Sequence, residues 1–258
     1  MINKNFLYSI HFYLLLLTLI LTFNVSKSQN LQDNSIQISA TGTMEWLQLE
    51  KKIFASGNAE VKSKDFVILA NIITGLYEGE IGNGNIKNLI AKESASINTS
   101  QGIINAEYIN YDFHSDKITV KGDKIFMNFD QGTINANNSL VFDKKENHIK
   151  VAGDAKILIN GKGEINAQQI TIHIDTKGNI EIVEAYKDVN ILLNLTQQKI
   201  TSNEAKFDNK NLQINLLGDV TLKQGRNFLK GDRAFLDLNK GTSKILSTTT
   251  NSVSGVFY

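Results

Sequence analysis

A large apolar residue followed by a carboxylate and a polar turn recurs six times along the chain. It stands at Tyr77-Glu78, Tyr111-Asp112, Phe142-Asp143, Ile174-Asp175, Phe207-Asp208 and Leu236-Asp237, with spacings of 34, 31, 32, 33 and 29 residues. A fixed period constrains the fold more than any local signal, because a unit of about thirty residues cannot bury its apolar face alone and must stack on its neighbours. A second mark, Gly followed by Asp or Asn, occurs at Gly57-Asn58, Gly122-Asp123, Gly153-Asp154 and Gly218-Asp219, with Lys187-Asp188 as a degenerate copy.

Between the marks, apolar and polar residues alternate, as in Ala155-Lys156-Ile157-Leu158-Ile159 and Ile170-Thr171-Ile172-His173-Ile174. Alternation of period two is the strand signal, and no stretch after residue 30 sustains a helical period. Each unit therefore reads as strand, turn, strand, with the Asp accepting backbone hydrogen bonds in one turn and Gly permitting positive φ at the next reversal. The expected fold is all-β: a twisted, open-ended β-jelly roll or stacked antiparallel β repeat, with a solenoid as the other two-walled solution. Around Gly122 the inward row shifts by one, to Ile125 and Met127, and a one-residue slip exchanges the faces of a strand. A bulge is expected near Lys124. The stretch from Gly79 to Asn85 reads as an elongated turn.

Composition narrows the chemistry. The chain has no cysteine, which excludes disulfides, Cys-ligated metal and a thiol nucleophile. Its 27 basic and 26 acidic residues leave no basic surface for nucleic acid. Proline is also absent, as suits a chain that is ladder almost throughout, since proline cannot donate to a ladder. The histidines, His11, His114, His148 and His173, have no partner at metal spacing, and the recurring carboxylates sit one per repeat beside turn residues. No catalytic residue, metal site or cofactor is expected, and the chain is not read as an enzyme.

The N-terminus carries Lys4, an apolar run from Phe6 to Phe23, and small residues at Ser26 and Ser28. This is the layout of a signal peptide. Residues 1–28 are read as that signal, and 29–258 as one β domain. The same 18-residue run reaches the lower limit for a membrane-spanning helix, so a retained anchor is the other reading.

The C-terminal segment reads Gly218-Asp219-Val220, then Gln224-Gly225, Gly231-Asp232-Arg233, and Leu236-Asp237 through Gly241. This pattern resembles the OstA-like family of lipopolysaccharide-transport proteins. Both arginines of the chain, Arg226 and Arg233, fall within it. Weaker copies, such as Phe142-Asp143 through Gly153-Asp154, extend the resemblance toward the N-terminus.

The resemblance implies a periplasmic bridge without chemistry. An open-sided β-jelly roll would shield the acyl chains of lipid A and carry lipopolysaccharide from inner to outer membrane. Its partners would be inner- and outer-membrane transport components of the same fold, joined by strand addition, and further copies joined end to end. On this reading Gly218, Asp219, Gly231, Asp232 and Arg233 are structural turn residues. Strand parity nominates Val61, Ile125, Met127, Ile157, Ile159, Ile191, Leu193, Val220 and Leu222 for the lipid groove, with Ile68, Ile134 and Ile165 on facing strands. Ordinary core packing serves each of these positions equally well. The edge strands offered to partners would carry Ile36 and Ile38 at the start, and Phe235, Leu236 and Ile245 at the end.

Two other readings remain at this level. One is a membrane-anchored relative in the same pathway. The other is a surface β-solenoid acting as an adhesin or polysaccharide-binding protein, although such coils usually repeat every 20–29 or so residues.

Overall fold

Each alternating stretch becomes strand. The computed structural model describes residues 35–79, 85–248 and 252–258. The export-signal reading of 1–28 and most of the turn after Gly79 lie outside the described residues. Residues Ile36–Tyr258 form one compact unit. Its strands are β1 (Gln37–Ser39), β2 (Thr43–Leu47), β3 (Lys52–Lys62), β4 (Phe66–Glu78), β5 (Asn85–Thr99), β6 (Gly102–Asp112), β7 (Lys117–Lys121), β8 (Ile125–Phe129) and β9 (Gly132–Ala136). They continue as β10 (Ser139–Asp143), β11 (His148–Ile159), β12 (Gly163–Ile174), β13 (Ile180–Leu193), β14 (Gln198–Asp208), β15 (Gln213–Gln224), β16 (Asn227–Asp237), β17 (Thr242–Leu246) and β18 (Ser254–Val256). No helix occurs among the described residues.

The long strands pair antiparallel with their neighbours in sequence, and each pairing is interrupted near its middle by a register shift, with a second shift toward one end of the β4–β5 and β12–β13 pairings. Between β11 and β12, Ala152 faces Gln169 and Ala155 faces Ala167. Gly153 and Asp154 thus stand against Gln168 alone, a two-against-one β-bulge that bends the strand. The bend needs two consecutive left-handed residues, with φ of 85° at Gly153 and 41° at Asp154. Polar side chains tie the corner down. Asp154 accepts hydrogen bonds from Asn137 Nδ2 at 2.8 Å and Gln168 Nε2 at 3.3 Å.

The same left-handed pair recurs at Gly57-Asn58, Glu93-Ser94, Lys187-Asp188 and Gly218-Asp219. Except at Gly122-Asp123, the Gly-Asp mark is therefore a corner inside a continuous strand, not a reversal between strands. This corrects the turn reading of Gly218 and Asp219, which lie within β15, and of Gly231, Asp232 and Arg233, which lie within β16 opposite that corner. It also explains why ten of the strands are long, from 11 to 15 residues. Each one runs through a bend from one wall of the fold to the other.

The bends divide the ladder into two walls. The first holds the halves that end in the apolar–carboxylate mark, and the second holds the halves beyond the corner. Inward residues of both walls are buried, among them Ile118, Leu140, Ile149 and Ile172 in the first and Ile68, Ile97, Ile134 and Ile157 in the second. Burying each such side chain stabilises the fold by about 1.5–3 kcal/mol, so the fold rests on the seam between the walls.

The apolar–carboxylate mark ends strands of the first wall. Its carboxylate caps the turn that follows, as its placement beside polar residues implies. Asp112 accepts from the backbone N–H of His114 at 2.9 Å and of Ser115 at 3.2 Å. Asp175 does the same for Lys177 and Asn179, both at 2.8 Å, and Asp208 for Asn211 at 2.9 Å. The expected irregularity near Lys124 is a full break, since β7 ends at Lys121 and β8 starts at Ile125. Three residues sit outside the ladder there, one more than at the two-residue corners, and this shifts the inward row to Ile125 and Met127.

Candidate functional site

With the corners along one side, the turns of the two walls face each other along the opposite side, the mouth of the fold. Over much of its length the mouth is held shut by named contacts. Phe66, entering the second wall, packs edge-on against Tyr111 of the first at 5.2 Å, and Tyr111 stacks on Phe113 at 4.4 Å. Gln131, in the β8–β9 turn, donates to Asn179 Oδ1 at 2.7 Å, and its Oε1 accepts from the Ile180 N–H at 3.1 Å. Lys162, in the β11–β12 turn, donates to Asn209 Oδ1 and lies 5.8 Å from the centre of the Phe207 ring. Burial among these groups lowers the Lys162 pKa.

Beyond Lys162 the turn rows diverge. The space between them is a groove of about 280 Å³ lined by Leu193, Leu195, Leu212, Leu236 and Leu238, with Lys162, Gln198, Gln224 and Ser243 at its rim. It adjoins a smaller, nearly wholly apolar space of about 20 Å³ against Ile159, Ile165, Ile191, Phe207 and Ile214, and the two share Lys162, Leu193 and Leu238. An apolar path thus leads from the mouth to the interior between the walls. A volume of about 280 Å³ lies at the lower edge of the range for ligand pockets.

All twelve groove positions nominated from sequence, Val61, Ile68, Ile125, Met127, Ile134, Ile157, Ile159, Ile165, Ile191, Leu193, Val220 and Leu222, are buried. All of them belong to the second wall. Only Leu193 reaches the groove, while Ile159, Ile165 and Ile191 line the smaller space behind it. Parity taken after each Gly mark does not reach the facing wall, whose Leu236 and Leu238 lie past the bend of β16. Leu195 lies outside that parity as well, although it carries a signal. It is an apolar residue in the polar turn Asn194-Leu195-Thr196-Gln197, and it is 90% exposed.

The edge positions separate in the structure. Ile38 faces Val61 in the β1–β3 pair, with Ile36 just ahead of it, and Ile245 lies on β17. Phe235 and Leu236 belong to β16, which is paired with β15 on one side and β17 on the other. They are not on an edge, because the chain turns back once more after Asp237. Of the histidines, His148 and His173 are direct cross-strand partners, a proximity that spacing did not reveal. His173 Nε2 lies 3.4 Å from Glu184 Oε2. No group of three or more metal-binding side chains occurs among the described residues.

Residues 133–242 and 199–255 match the model of a family described as LptA/(LptD N-terminal domain) LPS transport protein. This part of the chain is similar to that family. The matched region begins in β9 and includes the groove, both arginines and the edge strand β17. The architecture is all-β, built of long bent antiparallel strands. No curated protein sequence matches the chain. Among solved structures, one similar chain is LptH from Pseudomonas aeruginosa, described as the LptA homologous periplasmic component of the lipopolysaccharide transport device. It is 14% identical, with a TM-score of 0.43, and the likeness covers 48% of this chain and 93% of that one.

Proposed function

We propose that this chain is a periplasmic component of lipopolysaccharide transport, a carrier that takes acyl chains between its two β walls and catalyses no reaction. The observation that carries the reading is the apolar groove of the C-terminal region, which opens the mouth of the fold onto an inward-facing row of Ile, Leu and Val within the family-matched segment. The energetics favour such a device. At about 0.8 kcal/mol per buried methylene, a fourteen-carbon chain costs roughly 10 kcal/mol to leave in water. Leu195 sits where such a chain would first touch protein.

The carrier hands its cargo on through its ends. Among the described residues, β1 and β2 pair only with β3, and β17 and β18 only with β16. Unpaired edges of this kind accept a strand from another sheet, and the partners proposed are same-fold transport components at either membrane and further copies of this chain.

The test is photocrosslinking in cells, with a photoreactive residue at Leu193 or Ile157 and an outward control at Lys150. Lipopolysaccharide adducts from the two inward sites and none from Lys150 are expected. Folded protein giving no adduct at either inward site would overturn lipid carriage.

A further inference from the structure

The breaks in the strands are not distributed evenly. Ten strands run unbroken through a corner, while four pairs of short strands divide the same path into separate halves: β1 with β2, β7 with β8, β9 with β10, and β17 with β18. Two of these pairs are the ends of the sheet. The other two lie side by side in its middle.

The middle pairs repeat the pattern of the ends. At the start, β1 joins the second-wall half of β3, through Lys62 to Glu60, and β2 joins its first-wall half, through Ser56 to Lys52. In the same order, β9 joins the second-wall half of β11, through Lys156 to Ile159, and β10 joins its first-wall half, through Ala152 to His148. At the finish, β17 joins the first-wall half of β16 and β18 the second-wall half. Likewise, β7 joins the first-wall half of β6 and β8 the second-wall half. The family match starts at residue 133, in β9.

We propose that the chain is two carrier units fused end to end, β1–β8 and β9–β18, and that the pairing of β7 with β10 is an internalised joint between them. An end strand split at the corner can meet each wall of a neighbouring sheet separately, without carrying a bend matched to its own unit. The covalent link across this seam is the single tight turn at Asp130-Gln131 between β8 and β9. Elsewhere the seam is held as a docked surface would be. Lys117 pairs with Asp143 at 2.9 Å, Lys144 lies 3.4 Å from Asp116 and donates to Tyr111 at 3.0 Å, and Lys145 donates to the His114 carbonyl at 2.7 Å. Inside, Ile118 faces Phe142, Val120 faces Leu140, Ile125 faces Ala136 and Met127 faces Ile134, all buried, so the apolar interior passes through the joint without a gap. Whatever travels along one unit reaches the next without leaving the chain. The inference concerns the units and stands whether or not the cargo is a lipid.

Native-state hydrogen exchange on the unmodified chain tests it first. The strands before Asp130 and those after Gln131 should open as two groups whose exchange rates differ by at least about tenfold, each group cooperative within itself. A second experiment inserts a protease site between Asp130 and Gln131, with a control insertion beside Gly161 in the β11–β12 turn. After cleavage at the seam, the pieces should separate reversibly in urea while both keep their strand signal. After cleavage at Gly161, the second unit should lose its structure. One cooperative group in exchange, or a seam cut as damaging as the control, would overturn the proposal.

Discussion

Lys187 and Asp188 hold φ of 65° and 54°, the corner that glycine and aspartate hold elsewhere in the fold. A left-handed conformation costs a residue with a side chain about 1–2 kcal/mol, and glycine is relieved of that cost at some expense in chain entropy. Lys187→Gly is therefore expected to raise stability by roughly 1 kcal/mol, read from urea denaturation. An unchanged or lower midpoint would mean that the corner is held by contacts that Lys187 itself supplies. Glu93-Ser94 forms the same corner with neither Gly nor Asp, so its sequence gave no sign of it.

The turn carboxylates set the response to acid. Backbone N–H groups, with Ser115 foremost, hold the Asp112 carboxyl below the usual range. The side chain and N–H of Asn179 do so for Asp175, and the N–H of Asn211 for Asp208. In mild acid these groups bind fewer protons in the folded than in the unfolded state. Their contribution is thus complete above the ordinary Asp value of about 3.9 and is lost as pH falls through the lower folded values. Stability is expected to be flat from neutrality down to that point and then to decline. Asp208→Asn should lower the melting temperature at pH 7 and flatten the decline, as thermal melts across the pH series would show.

At the scale of elements, corners and turns differ in what they tolerate. Gly153 and Gly161 both hold positive φ, 85° and 74°. A Cβ at Gly153 would lie 2.3 Å from Asn137 Oδ1 and 2.5 Å from Asn138 Cβ, whereas at Gly161 it would meet nothing within 4 Å. Gly161→Ala should cost about 1 kcal/mol from backbone strain alone. Gly153→Ala should cost more, roughly 2–4 kcal/mol, because the neighbouring strands must also shift. Equal costs would show that the corner yields freely. The repeat itself was legible, since apolar–carboxylate marks and two-residue alternation survive in any one unit. What each mark does at the corner was not. A bend within a strand and a reversal between strands use the same left-handed residues, and only the pairing of Ala152 with Gln169 and Ala155 with Ala167 separates the two.

For the whole molecule, the most discriminating substitution is Leu195→Asp. The side chain is 90% exposed, so its loss should leave stability within about 0.5 kcal/mol, while lipopolysaccharide crosslinking at Leu193 should fall severalfold. Ile157→Ala, fully buried in the second wall, should instead cost about 2–5 kcal/mol. If the two variants lowered crosslinking only in proportion to the folded protein remaining, the groove mouth would have no part in loading. A photoreactive residue at Lys244 on β17 should capture a second copy or a same-fold partner, and purely monomeric product would count against strand addition at that edge.

The sequence by itself determined the strands, the period, the capped turns and the inward row of the second wall. Each of these depends on residues within one unit or its immediate neighbour, where alternation and turn chemistry act directly. It also determined, through Gly218-Asp219 to Gly241, the resemblance that the family match extends to 133–255. Only the tertiary structure decided where the mouth opens, that Leu236 lies inside rather than on an edge, and that split strands mark a seam in the middle of the chain. Those features depend on turns that meet across the mouth, such as Lys162 with Asn209, and on β7 finding β10 across an intervening hairpin. Such pairings join residues far apart in sequence, and no local period encodes them.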